Sequence, residues 1–283
     1  MAFVIPQQIK QTIGFIFTRE EPSNPNLVPA GTGFFTGVQG KAENTSFIYF
    51  VTAKHVLSGL SEVYVRLNTR NWDSASGEQG YHYTQLPPFV MSETSRWVIH
   101  NDPTVDIAVL PWAPDQSLHE FKLIGLEMFV TSEIMTTEKV AEGDEIFFVG
   151  LLPQYYNTRR NEPVTRFGRL ALIPEEKIAS PEGPIDLLFA ECQSFPGNSG
   201  SPVFLQFGPI RQAGTIVVGG DRLMLLGIMK GYFYQSGKVN IHPVTTLELA
   251  FQENIGIAAI TPVQKVHEIL FSEVLVQQRE SAN

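Results

Sequence analysis

A chain of 283 residues with 43% hydrophobic and 17% charged content is long enough to bury a sizeable core, as one large domain or two modest ones. Its formal charge of −9 argues against a general binder of nucleic acid or anionic membrane, which would carry a surplus of Lys and Arg. The single cysteine, Cys192, has no partner for an intrachain disulfide, so stability has to come from packing.

The segment Met1 to Lys10 lacks the charged start, long apolar core and cleavage site of a secretory signal, and no run of about 18 apolar residues offers a membrane span. A soluble, cytoplasmic protein without a membrane partner is the expectation. A first strand is predicted over 11–18, before a breaker-rich stretch, 20–30, with three prolines. Gly31-Thr32-Gly33-Phe34 opens the next strand, and the continuous apolar run Phe47 to Ala53 makes another, delivering His55 at its end. Glu62 to Leu67 alternates like a half-exposed strand, residues 68–80 read as a surface loop, and Arg96 to His100 is a further short strand. Two acids follow. Asp102, beside Pro103, reads as a turn residue, whereas Asp106 opens the apolar run 107–110, where burial would let a carboxylate hold a histidine.

Residues 111–123 carry the turn signals of a linker, which predicts a division into 1–115 and 116–283. The strand Ile146 to Pro153 leads into a loop with Tyr155, Tyr156, Arg159, Arg160 and Arg166. Basic residues among aromatics suit RNA or an acidic partner. In so acidic a chain a solvated loop is the better reading, and no nucleic-acid partner is expected. The strand 185–191 enters the turn Ser194-Phe195-Pro196-Gly197-Asn198-Ser199-Gly200-Ser201-Pro202, with Cys192 as a small buried side chain. Residues 213–218, the turn 219–221 and 222–229 read as a hairpin. Thr261-Pro262-Val263-Gln264 offers an N-cap, a proline at N1 and a capping-box glutamine. Val263, Val266, Ile269, Leu270, Val274 and Leu275 then repeat at helical spacing, predicting an amphipathic helix over 262–279 packed on the second half. The histidines form no H-E-x-x-H and the cysteine no C-x-x-C, so neither metal nor cofactor is expected.

A serine among glycines on a sharp turn is how a hydroxyl is presented as a nucleophile, but it needs a base for its proton and donors for the oxyanion formed on attack. His55, Asp106 and Ser199 supply an ordered set: histidine, acid, serine. The α/β-hydrolase elbow G-x-S-x-G fails, because Ser201 stands where its second glycine belongs. On G-T-G-F, T-A-K-H, D-I-A-V-L and G-N-S-G, from about Gly31 to about Ile260, the chain resembles the trypsin- and chymotrypsin-like serine proteases. It resembles above all their disulfide-free branch, with the HtrA-type proteases and the glutamyl endopeptidases.

The resemblance implies an all-β fold of two antiparallel six-stranded barrels with a C-terminal helix, His55 and Asp106 on the first barrel and Ser199 on the second. It implies a serine endopeptidase acting on protein or peptide substrates through an acyl-enzyme. Ser199 would attack, His55 would accept and return the proton, Asp106 would orient His55, and the N–H groups of Gly197 and Ser199 would form the oxyanion hole. The departures are informative. Asn198 replaces the aspartate that pairs with a freed amino terminus in secreted trypsins, so activity independent of N-terminal processing is expected. Gln193 replaces the acid that selects Arg or Lys at P1 in trypsins. Met229 replaces the histidine of glutamyl endopeptidases, although Lys230 keeps an acidic P1 open. Gly231 and Tyr232 would follow on the pocket wall, the Tyr232 ring restricting it to small or medium side chains. The rival reading is a catalytically silent or partner-gated binding module on a protease fold, with a regulatory protein in a separate chain.

Overall fold

The computed structural model describes residues 4–21, 24–42, 45–92, 95–156, 158–208, 222–241 and 247–282, with backbone alone at 234–241 and 247–253. The first arm and turn of the expected hairpin, 213–221, lie outside the described residues.

The first sheet contains strands β1 (Ile13–Arg19), β2 (Leu27–Gln39), β3 (Ser46–Thr52), β4 (Val63–Asn68), β5 (Tyr81–Leu86), β6 (Val98–Ile99) and β7 (Ala108–Pro111), in the order β5-β4-β1-β2-β3-β7-β6. A two-residue strand, β8 (Ile124–Gly125), adds to β2 in parallel, so strand pairing carries this sheet as far as Gly125. Successive residues of a strand point to opposite faces, and here both faces are covered. Phe35 and Phe50 enter one buried cluster with Val65, Trp97 and Leu110, while their neighbours Phe34 and Val51 enter another shared with Phe148, Val203 and Ile228 of the second half. That double burial explains why β3 reads as continuously apolar rather than alternating.

The second half closes on itself, with β9 (Glu145–Gly150), β10 (Val164–Leu172), β11 (Leu188–Glu191), β12 (Pro202–Phe207), β13 (Arg222–Ile241) and β14 (Leu247–Pro262) joined β10-β11-β14-β13-β12-β9. Phe147 of β9 stacks on Phe204 of β12, ring centroids 5.1 Å apart.

The expectation of two closed barrels is therefore corrected. One is a closed six-stranded barrel; the other sheet stays open between β5 and β6 among the described residues. At the end of β5, Pro87 and Pro88 offer no N–H for a ladder, and β6 is two residues long. A side chain bridges the gap instead: Trp97 Nε1 donates to Pro87 O at 2.9 Å.

Helices are few and short: α1 (Gln7–Lys10), α2 (Lys54–Leu57), α3 (Ser132–Thr137), α4 (Gln264–Leu270) and α5 (Glu273–Ser281). The terminal segment is two helices where one was predicted over 262–279. Thr261 and Pro262 are still in the sheet, opposite Ile228 and Gly227, so ladder pairing overrides their local capping signal. Extended backbone at Ser272 breaks the run and leaves Val274 exposed. The helices bridge both halves rather than packing on the second alone. Arg279 donates to Tyr49 Oη of β3 at 2.9 Å, and His100 Nε2 of the first half meets Glu268 Oε2 of α4 at 2.6 Å.

Candidate active site

The two halves meet where β3 ends, where β7 begins and where the chain turns into β12. The run of β3 stops at Thr52, and the single turn α2 lifts His55 out of the sheet with its side chain 48% exposed. Asp106 precedes β7 and keeps only 7% of its side chain exposed. Its carboxylate is held twice by His55: Oδ1 accepts the His55 backbone N–H at 2.9 Å, and Oδ2 lies 2.6 Å from Nδ1. A proton on Nδ1 donated to that carboxylate leaves Nε2 with its lone pair available as a base. Asp102, the other acid of this stretch, caps a turn of its own. Its Oδ1 accepts from the Thr104 hydroxyl at 2.7 Å and the Thr104 N–H at 3.0 Å, and these bonds hold its carboxyl below the ordinary range.

Ser199 follows a tight turn, Phe195 to Asn198, closed by Asn198 N–H donating to Phe195 O at 3.0 Å. Pro196 and Gly197 occupy its centre, and Gly197 has φ +91°, the pattern of a type II turn. The Gly197 carbonyl accepts the Thr32 hydroxyl at 2.8 Å, and among the described residues the N–H groups of Gly197 and Ser199 donate to no protein acceptor. Two unpaired N–H groups beside a serine suit a developing oxyanion. Gly200 brings the turn against β2: a Cβ there would stand 2.0 Å from Thr32 O.

Asn198 is buried and bonded at both ends of its amide. Its Oδ1 accepts Phe195 N–H at 2.8 Å and its Nδ2 donates to Leu151 O at 2.8 Å, tying the turn to the end of β9. The Ser199 hydroxyl donates to Lys230 O at 3.2 Å; among the described residues it makes no hydrogen bond to His55. Lys230 is the extra residue of a β-bulge, since Met229 pairs with Ile260 and Gly231 with Ala259. The bulge turns its side chain toward the acid, Nζ lying 3.8 Å from Asp106 Oδ2. Gly231 and Tyr232 line a cavity of about 780 Å³ together with His55, Asp106, Thr104, Ile185, Leu187 and Ala259. Gln193 is exposed after the end of β11 and does not line this cavity.

Thus His55 and Asp106 are in contact, and Lys230 links them to the Ser199 turn through its carbonyl and its ammonium. The sequence did not point to Thr32. It takes the Leu151 N–H at 3.0 Å while its own hydroxyl holds Gly197 O and its N–H donates to Ser199 O at 3.0 Å, so one β2 side chain anchors the turn. A lone threonine between Gly31 and Gly33, where close approach is possible, was the available signal. The basic loop residues are engaged within the protein: Arg159 donates to Glu78 O at 2.8 Å, Arg160 pairs with Glu120, and Arg166 lies 4.6 Å from the centre of the Phe195 ring.

Residues 31–209 match the family model described as a trypsin-like peptidase domain. No curated protein matches the sequence significantly. Among solved structures the chain is similar to the MamO protease domain from Magnetospirillum magneticum in its apo form, at 16% identity over 94% of this chain and 98% of that one, with a TM-score of 0.52. It is similar to Deg5, at 17% identity over 93% and 88% of the two chains, TM-score 0.50. Likeness to the HtrA-type protease AlgW with a decapeptide covers 96% of this chain and 66% of that one, at 14% identity and TM-score 0.51. At such identities these likenesses speak for the fold.

Proposed function

The chain belongs to the trypsin-like peptidase family, and from that premise we propose that it is a serine endopeptidase using His55, Asp106 and Ser199. Ser199 attacks the scissile carbonyl, His55 Nε2 takes the proton and returns it to the leaving amine, and the Asp106 carboxylate orients and stabilises the imidazolium. The N–H groups of Gly197 and Ser199 receive the oxyanion. The substrate lies as an added strand along Lys230 to Phe233, where β13 has passed the end of its pairing with β12 at Ile228 and, among the described residues, one edge is open. Gly231 and Tyr232 lie beside that strand, whereas Gln193, exposed after β11, stays outside the cavity they line. The observation that carries the reading is the doubly bonded Asp106–His55 pair, with its 2.6 Å contact, beside a serine turn whose Gly197 and Ser199 N–H groups have no protein acceptor among the described residues.

Activity without N-terminal processing is part of the proposal. The buried Asn198 amide already has a donor and an acceptor, so it leaves no charge for a freed amine to meet. One observation favours the partner-gated alternative: the Ser199 hydroxyl rests on Lys230 O. A fluorophosphonate probe separates the two. Labelling of the isolated protein, lost in Ser199→Ala, supports the endopeptidase; absent labelling in a folded protein that does not cleave a peptide library refutes it.

A further inference from the structure

The Lys230 ammonium stands 3.8 Å from Asp106 Oδ2, the oxygen that faces His55 Nδ1, and among the described residues it is the one Lys or Arg group within 4 Å of that acid. The neighbouring Lys54 ammonium is taken by Pro103 O at 2.7 Å. A separation of 3.8 Å is beyond hydrogen-bond reach, so Lys230 does not aim the carboxylate. The two His55 contacts do that. Lys230 therefore acts by charge alone. When Ser199 gives up its proton, His55 becomes a cation whose partner is Asp106, and a second cation on the same oxygen opposes that charge separation.

We propose that Lys230 is a positioning residue that restrains the triad, its bulge-directed ammonium competing with the His55 imidazolium for Asp106 and so slowing acylation. The inference rests on the serine-protease reading and adds a built-in limit on its rate. The bulge is what makes the contact possible: with Met229 and Gly231 both in register, the additional residue is free to turn toward the acid. Its side chain is 29% exposed, which weakens the interaction through solvent without removing it.

Pre-steady-state hydrolysis of p-nitrophenyl acetate tests this without knowledge of the natural substrate. In the burst the Ser199 oxygen bonds to the acetyl carbon, p-nitrophenolate leaves, and the serine proton passes to His55. Lys230→Met and Lys230→Gln are expected to raise the acylation rate constant about three- to tenfold, with ester affinity unchanged within about twofold, because the restraint bears only on the charge-separated state. Salt at 1 M should shrink the difference in acylation rate between Lys230→Met and the wild type. An unchanged or lower acylation rate in folded Met and Gln variants overturns the inference. Wild-type ester hydrolysis equal to that of Ser199→Ala instead overturns the serine-protease reading and removes the inference with it.

Discussion

Replacing Gly197 by alanine tests how much of the chemistry resides in one peptide. The residue has φ +91°, a conformation that costs an L-residue with a Cβ about 1–2 kcal/mol. The new Cβ would also stand 2.4 Å from Pro153 Cγ and 2.9 Å from Cδ, atoms of a ring that cannot swing aside. If the turn holds its shape, destabilisation is about 2–3 kcal/mol, a fall in Tm of roughly 4–12 °C for a protein of this size. If the 196–197 peptide rotates to relieve the strain, the Gly197 N–H leaves the oxyanion site, and one lost donor costs about 2.7–4 kcal/mol of transition-state stabilisation. The second outcome is the cheaper one for the fold, because Pro196 is exposed and the bonds that anchor the turn go to Gly197 O and the Asn198 side chain rather than to the 196–197 peptide. The variant should therefore melt within a few degrees of the wild type and lose about 100- to 1000-fold in kcat/KM. Peptide hydrolysis measured beside thermal unfolding decides it. Turnover within about threefold of wild type would refute the role given to this N–H.

Asn198→Asp exchanges the buried donor facing Leu151 O for a carboxylate oxygen, so it should cost about 2–4 kcal/mol in denaturant unfolding and impair turnover; equal stability would contradict the network described. Burial pushes the Cys192 thiol up to about 11, with the Arg166 charge pulling partly against it. Maleimide at pH 8 should accordingly leave the native protein unlabelled until denaturant is added, and rapid native labelling would contradict this packing. Burial raises the Glu268 carboxyl, but hydrogen bonds from His100 and Lys265 and the Lys265 charge outweigh it, holding the group below its ordinary 4.5. A depressed acid contributes stability that is full above the unfolded value and is lost as pH falls through the folded one. The Tm gap between wild type and Glu268→Gln should therefore be wider at pH 7 than at pH 3, and equal gaps would argue against the His100–Glu268 tie between the halves.

The local structure around each candidate residue was legible, because each is delivered by a feature of sequence: an apolar run ending at Thr52 before His55, an acid opening the run of β7, and a Pro-Gly pair that dictates a turn before Ser199. What depended on long-range pairing was hidden. Closure of the first sheet fails at Pro87, Pro88 and the two-residue β6, an outcome of which strands meet rather than of how each reads. The capping signal at Thr261-Pro262 was overruled by the β13–β14 ladder. Lys230 left an acidic P1 open, and no local signal showed the one-residue bulge that brings its Nζ to 3.8 Å from Asp106 Oδ2. Thr32 stood in G-T-G-F between two glycines, but that its hydroxyl meets Gly197 O depends on the approach of the second half.

The most direct measurement is mass spectrometry of the protein quenched in acid during turnover of p-nitrophenyl acetate. The account predicts an acetyl adduct on the peptide containing Ser199, absent from Ser199→Ala and strongly reduced in His55→Ala. An adduct at another side chain, or none during verified peptide cleavage, would contradict it.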